Sequence, residues 1–171
     1  MTLAGGEGKN ERVFVAFFES IKYVGHLFPI AFLRVFLGYF YLNHALLKYN
    51  GDFLSRPELV DAMNDVLDQR HIDAWYGFFI QSIAIPHWKA FAAVTVICEF
   101  LIGVSFLLGY LVRPMALLGV LLTAFYFSIL PQHEILYKLM IATHITMAWL
   151  GAGRCLGIDY YFYKRHRGIW W

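Results

Sequence analysis

Apolar residues gather into four long runs separated by polar or charged breaks, and the length of each run limits what it can be. The runs extend from about Val24 to Leu47, Ala90 to Leu111, Pro114 to Leu130 and Ile135 to Ala152. A bilayer's hydrocarbon core is about 30 Å thick and takes about 20 helical residues to cross. Helices satisfy their backbone N–H and C=O groups internally, so membrane-crossing helices are the economical reading of all four runs. The third run is the shortest and is bracketed by Pro114 and Pro131, residues that suit helix ends.

Between the first two runs lies the only long polar insertion, residues 48–89. Its Ser55–Arg56–Pro57–Glu58 stretch has capping-box spacing, and Leu59, Val60, Met63, Val66 and Leu67 follow at helical intervals, which predicts an amphipathic surface helix. Ile72 to Pro86 is apolar and aromatic but too short to span. Its Trp75, Tyr76, Phe78 and Phe79 suit the headgroup level, so an interfacial or re-entrant element is expected. A second interfacial helix is predicted at Arg12 to Val24, where Val13, Phe14, Phe17, Phe18 and Ile21 are set against Arg12, Glu19 and Lys22. The expected fold is all-α: one polytopic membrane domain over residues 1–171, a four-helix transmembrane bundle (24–47, 90–111, 114–130 and 135–152) with additional interfacial amphipathic helices.

Composition agrees with a membrane protein. The chain is 60% hydrophobic and 15% charged, against about 25% charged in soluble domains. A net charge of +2 gives no argument for nucleic acid as a partner. Cys98 lies inside an apolar run and Cys155 near the C-terminus, and no disulfide between them is expected. The opening residues lack the basic region and A-x-A site of a signal peptide, so the N-terminus is expected to be retained. Lysine and arginine set the orientation. With both termini cytoplasmic (1–23 and 153–171), the inside carries Lys9, Arg12, Lys22, Arg113, Arg154, Lys164, Arg165 and Arg167, against Lys48, Arg56, Arg70, Lys89 and Lys138 outside. The lipid bilayer is the first partner, and the interfacial elements point to other membrane subunits as further ones.

Three titratable residues fall near the midpoints of runs: Arg34, Glu99 and His144. A lone charge at the bilayer centre costs roughly 3 kcal/mol on insertion scales, so such groups find partners. Arg34 and Glu99 are expected to form a buried ion pair, their depths differing by about 5 Å or less at about 1.5 Å per residue. Gly38 and Gly103, each four residues further on, would let the two backbones approach. Two roles stay open for this pair: fixing how two helices dock, or handling protons or a ligand. In the second, Glu99 and His144 are the catalytic candidates for proton transfer; His144 is otherwise a hydrogen-bonded core residue. No second histidine matches His144 in depth for haem, and the scattered histidines offer no closed metal site.

A second polar group gathers at the outer ends of the runs: Asn43, His44 and Lys48, then His133, Glu134 and Lys138. His44, Lys48 and His133 could line a mouth that hydrogen-bonds a quinone head group; the alternative is that they are ordinary interfacial residues. Nucleotide-binding, zinc-protease and serine-hydrolase motifs are absent.

Three stretches together resemble the DoxX family of small four-helix membrane proteins, relatives of the DoxD subunit of archaeal thiosulfate:quinone oxidoreductase. They are FLRVFLGYFYLNHALLK (32–48), CEFLIGVSFLLGYLVRPMAL (98–117) and AGRCLGIDYYFYKR (152–165). The resemblance implies a protein of the bacterial or archaeal cytoplasmic (inner) membrane that serves as a subunit of a redox-linked complex, with quinone as its non-covalent ligand. A non-catalytic accessory or scaffold subunit is the alternative. The chain departs from the family pattern in its long insertion (52–86), in His144 and in the aromatic tail Gly168–Trp171.

Overall fold

The computed structural model describes residue 15 and residues 25–69, 72–130 and 133–165, with the side chain of residue 69 outside that description. The interfacial helix expected at 12–24, Val15 apart, and the aromatic tail lie outside these residues. Among the described residues the protein is all helical, with no strand. Helix α1 is Phe28–Asn50, α2 Glu58–Gln69, α3 Ala74–Phe79, α4 Trp88–Leu108, α5 Val112–Ile129, α6 Glu134–Leu150 and α7 Asp159–Arg165. The four long helices start and stop within four residues of the apolar runs.

Their ends follow from local chemistry. Pro29 sits in the first turn of α1 and Pro114 in the first turn of α5, where a missing N–H leaves no intrahelical bond unmade. Gly109 ends α4 and Gly151 ends α6, both with left-handed φ of 64° and 65°, a conformation that glycine adopts without a steric penalty. The capping box does not set the start of α2. Residues Asp52–Leu54 form a short 3-10 turn, Ser55 N–H closes that turn on Asp52 O, and the helix begins only at Glu58. The segment 72–86, expected to be interfacial, holds the short helix α3 continued by a π-helical turn, Ile80–Ala84.

The long helices run alternately up and down. Against α1, α4 is antiparallel: a Cβ on Gly38 would lie 2.8 Å from the Leu107 backbone nitrogen, and one on Gly103 would lie 2.7 Å from that of Leu42. The two glycines thus mark where the backbones touch, as their spacing predicted, and they fix the register of the pair. In α5 and α6 the corresponding close approach is Gly119 against the ring of His144. At one end of the bundle, the loop end, α2 turns Leu59, Met63 and Val66 inward onto Ala92 and Ile129 while Glu58, Asp61, Asp65 and Asp68 stay exposed. At the other end, the terminal end, residues 151–165 pack against the α4–α5 turn.

The molecule is apolar outside and polar in places inside. Phe32, Leu121 and Trp149 are 70%, 68% and 84% exposed, whereas Arg34, Glu99, Thr123, His144 and Asp159 are buried. Aqueous monomers seldom expose apolar surface on this scale. Helices α1 (with its preceding turn, from Gly25), α4 and α5 are long and apolar enough to cross a membrane; α6, at 17 residues, is just shorter.

Gly103→Val should therefore force α1 and α4 apart. We expect a loss of about 1–3 kcal/mol, read as a lower midpoint in denaturant unfolding of the detergent-solubilised protein, with Gly25→Val, where a Cβ meets nothing within 4 Å, as the neutral control.

Candidate functional site

Arg34 and Glu99 do not pair. The register set by Gly38 and Gly103 places α1 residues near position 46 level with Glu99, so Arg34 lies about twelve residues, or about 18 Å, nearer the terminal end. Midpoints of runs are a poor guide to depth when helices start at different levels.

Arg34 instead holds the terminal end together. Its guanidinium donates from Nη1 to Ala152 O (2.9 Å) and Cys155 O (3.2 Å), and from Nη2 to Leu156 O (2.7 Å). These carbonyls lie beyond the end of α6, where Gly151 breaks the helix and the chain turns before α7. Gly109 leaves room for the guanidinium, since a Cβ there would lie 2.6 Å from Nη1. Asp159 completes the clamp. Its carboxylate accepts from the backbone N–H of Leu111 (2.8 Å) and of Val112 (3.1 Å), capping α5 from the far end of the chain. Burial pushes the Asp159 carboxyl above its ordinary value, against the pull of those two N–H groups, Arg34 and Arg113.

Glu99, in the middle of α4, takes Lys48 from the last turn of α1. Lys48 Nζ is 2.6 Å from Glu99 Oε1 and donates also to the Tyr126 hydroxyl at 2.6 Å; that hydroxyl donates to the same Oε1 at 2.7 Å. The ammonium lies over the rings of Tyr126 and Phe53, at 4.6 and 5.1 Å from their centroids. Glu99 Oε2 is buried without a hydrogen-bond partner.

This triad faces a cavity of about 380 Å³ between α1, α4, α5 and α6, within the range of small-ligand sites. Phe40, Tyr41, Leu136, Tyr137 and Met140 are among its apolar lining. His44 and His133 are exposed side chains that also line it, so His44, Lys48 and His133, chosen from sequence for the outer mouth, meet around one space that also includes Glu99. His144 is not among the lining residues. Its Nδ1–H donates to Met140 O at 2.6 Å, Nε2 is buried without a partner, and its ring lies edge-on to Tyr41, 5.5 Å between centroids. It is a packed core histidine one side chain removed from the cavity. Sequence reasoning missed Tyr126 and Thr123, whose hydroxyl pairs with that of Tyr41 at 3.1 Å. The usable signal was a helical face of α5 carrying Gly119, Thr123 and Tyr126 in a mostly apolar run. Cys98 and Cys155 are free thiols, and no cluster of three or more His, Cys, Asp or Glu side chains suited to a metal occurs among the described residues.

Fold and site define a helical membrane protein with a small, partly polar cavity inside its bundle. The DoxX family model matches residues 30–132, and the chain belongs to that family. No curated protein and no solved structure matches it.

Two outcomes test the clamp. Arg34→Lys keeps the charge but not the planar fork that spans three carbonyls, and should cost about 1–3 kcal/mol of stability, read by thermal unfolding in detergent. For Asp159, a folded-state value above the unfolded one means that the folded protein holds the proton longer. Its contribution to stability is therefore greatest below the ordinary value of 3.8 and declines as pH rises through the raised one. Asp159→Asn should flatten that part of the stability–pH curve.

Proposed function

We propose that the protein is a four-span subunit of a redox-linked complex in the inner (cytoplasmic) membrane of a cell, with both termini cytoplasmic, and that its cavity binds the head group of a quinone. The observation that carries this reading is the Lys48–Glu99–Tyr126 triad set into an aromatic-walled cavity inside the bundle. Flat apolar walls suit a planar ring, and the few polar groups sit where they would orient it. Helix α6 serves as the fourth span: 17 residues cover about 26 Å, close to the hydrocarbon thickness, and it packs along α5. In this reading Lys48 and Glu99 bind the head group, His44 and His133 at the opening exchange protons with water, and Tyr41, Tyr126 and Tyr137 orient the ring. A bound quinone would supply the two-electron chemistry; the electrons come from a partner or a small sulfur substrate. His144, walled off by Tyr41, takes no part in binding.

A second reading, a non-catalytic accessory subunit, is favoured by the exposed acidic face of α2, Glu58, Asp61, Asp65 and Asp68, which stands clear of the bundle as a docking surface. Purification in mild detergent separates the two. The quinone reading expects saturable binding of a short-chain quinone that Leu136→Trp, a bulky change at an exposed cavity-wall position, weakens at least about tenfold. Binding that is absent, or indifferent to Leu136→Trp, together with stoichiometric co-purification of other subunits, would favour the accessory role.

A further inference from the structure

The charges of the molecule are sorted by end. Among the described residues, the loop end exposes the carboxylates of α2, whereas the terminal end carries Arg34, Arg113, Arg154, Lys164 and Arg165 against a single carboxylate, Asp159. Asp159 is buried, and its two oxygens accept from the N–H groups of Leu111 and Val112. The described residues of the terminal end thus hold an excess of positive charge. Two of its cations are brought together. Arg113 stands in the first turn of α5 and Arg154 in the 3-10 turn that follows α6, and both guanidinium groups lie against Gly151. A Cβ there would be 3.1 Å from Arg113 Nη2 and 3.4 Å from Arg154 Nε. The Arg154 guanidinium also lies 4.0 Å from the centre of the Tyr163 ring, a contact that holds the planar group by its face and leaves its edge as the donor side. Like charges this close repel, and a phosphate, which accepts paired, charge-assisted N–H bonds from guanidinium groups, is the anion that suits them.

The surface next to them is apolar. Leu117 and Leu121 follow Arg113 one and two turns along α5, on the same face, and both are exposed. On α6, Trp149 is exposed just before Gly151. Arginines at the end of a membrane-crossing helix, with an exposed apolar stripe leading away from them along the span, match the two halves of a phospholipid. A soluble phosphate would use only the first half. We propose that the terminal end binds an anionic phospholipid, its phosphate at Arg113 and Arg154 and an acyl chain along Leu117 and Leu121.

Lys164 and Arg165, exposed in the last turn of α7 at the same end, set the class of head group. A zwitterionic head group brings an ammonium toward these further cations, whereas an anionic one brings no cation and keeps its net negative charge. The bound lipid relieves the repulsion between Arg113 and Arg154 and ties the start of α5 to the turn after α6. This site lies at the opposite end of the bundle from the mouth of the cavity and does not depend on what the cavity holds.

The test is native mass spectrometry of the delipidated full-length protein in non-ionic detergent, titrated with phosphatidylglycerol or with phosphatidylcholine of identical acyl chains. Thermal unfolding with each lipid and with inorganic phosphate runs beside it. We expect phosphatidylglycerol to bind at least about tenfold more tightly than phosphatidylcholine and to raise the unfolding midpoint where inorganic phosphate does not. The double variants Arg113→Gln/Arg154→Gln and Lys164→Gln/Arg165→Gln remove the same charge, so a diffuse attraction would respond to both alike. A phosphate seat predicts that the first weakens both lipids and that the second only narrows the gap between them. The lipid comparison on the unmodified protein stands even where a variant yields too little folded material. Equal binding of the two lipids overturns the anionic preference, and inorganic phosphate that stabilises as well as phosphatidylglycerol overturns the lipid as occupant. Equal losses in the two double variants overturn the seat at Arg113 and Arg154.

Discussion

A guanidinium buried among apolar helices must find acceptors within the protein, and the way Arg34 does so fixes much of the rest. Its side chain is fully buried, and backbone carbonyls serve it in place of a carboxylate. Carbonyls are free to accept only where a helix has ended, so the bond set requires the left-handed Gly151 and the turn behind it. That turn delivers Asp159 to the α4–α5 connection, where Leu111 has a φ of 55° and the first N–H groups of α5 lack a cap of their own. Three parts of the chain far apart in sequence are thereby held at one end of the bundle. With Nη1 and Nη2 of Arg34 bonded there, Glu99 is left to Lys48 and the opposite half of the bundle.

What could be read in the sequence was whatever depends on composition and local spacing. Run length gave the long helices to within four residues, and glycines four positions from a charge marked the α1–α4 contact. The Arg34–Glu99 pair failed because a partner across two helices depends on register, which only the contact of Gly38 with Leu107 and of Gly103 with Leu42 sets. Backbone carbonyls as the partners of Arg34 are invisible in a list of side chains. Tyr126 was hidden among eleven tyrosines, none of which announces by its neighbours that a carboxylate faces it. The capping box at Ser55 gave way because the 3-10 turn used the Ser55 N–H on Asp52 O. His44, Lys48 and His133 line one space because each is close to the end of a helix, where depth is easiest to read from sequence.

The stretches that carry the DoxX resemblance contribute to both ends of the molecule. Residues 32–48 bring Arg34 to the clamp and Lys48 to the ion pair, and residues 98–117 bring Glu99 to the pair and Gly109 to the clamp. Helices α1 and α4 are in backbone contact between these points, so the two charge systems are joined by a rigid pair rather than by a flexible loop.

Lys48 directs its ammonium inward to a carboxylate, although it stands near a helix end where such side chains usually reach for water. The consequence is that the cavity presents a neutralised pair instead of a free positive charge. A small sulfur oxyanion would have to displace Glu99 from Lys48 and leave that carboxylate buried and unpaired, a loss of the order of 3–5 kcal/mol. A neutral head group demands no such exchange and can use the aromatic walls as well. The charge balance of the cavity thus favours a neutral occupant over an oxyanion.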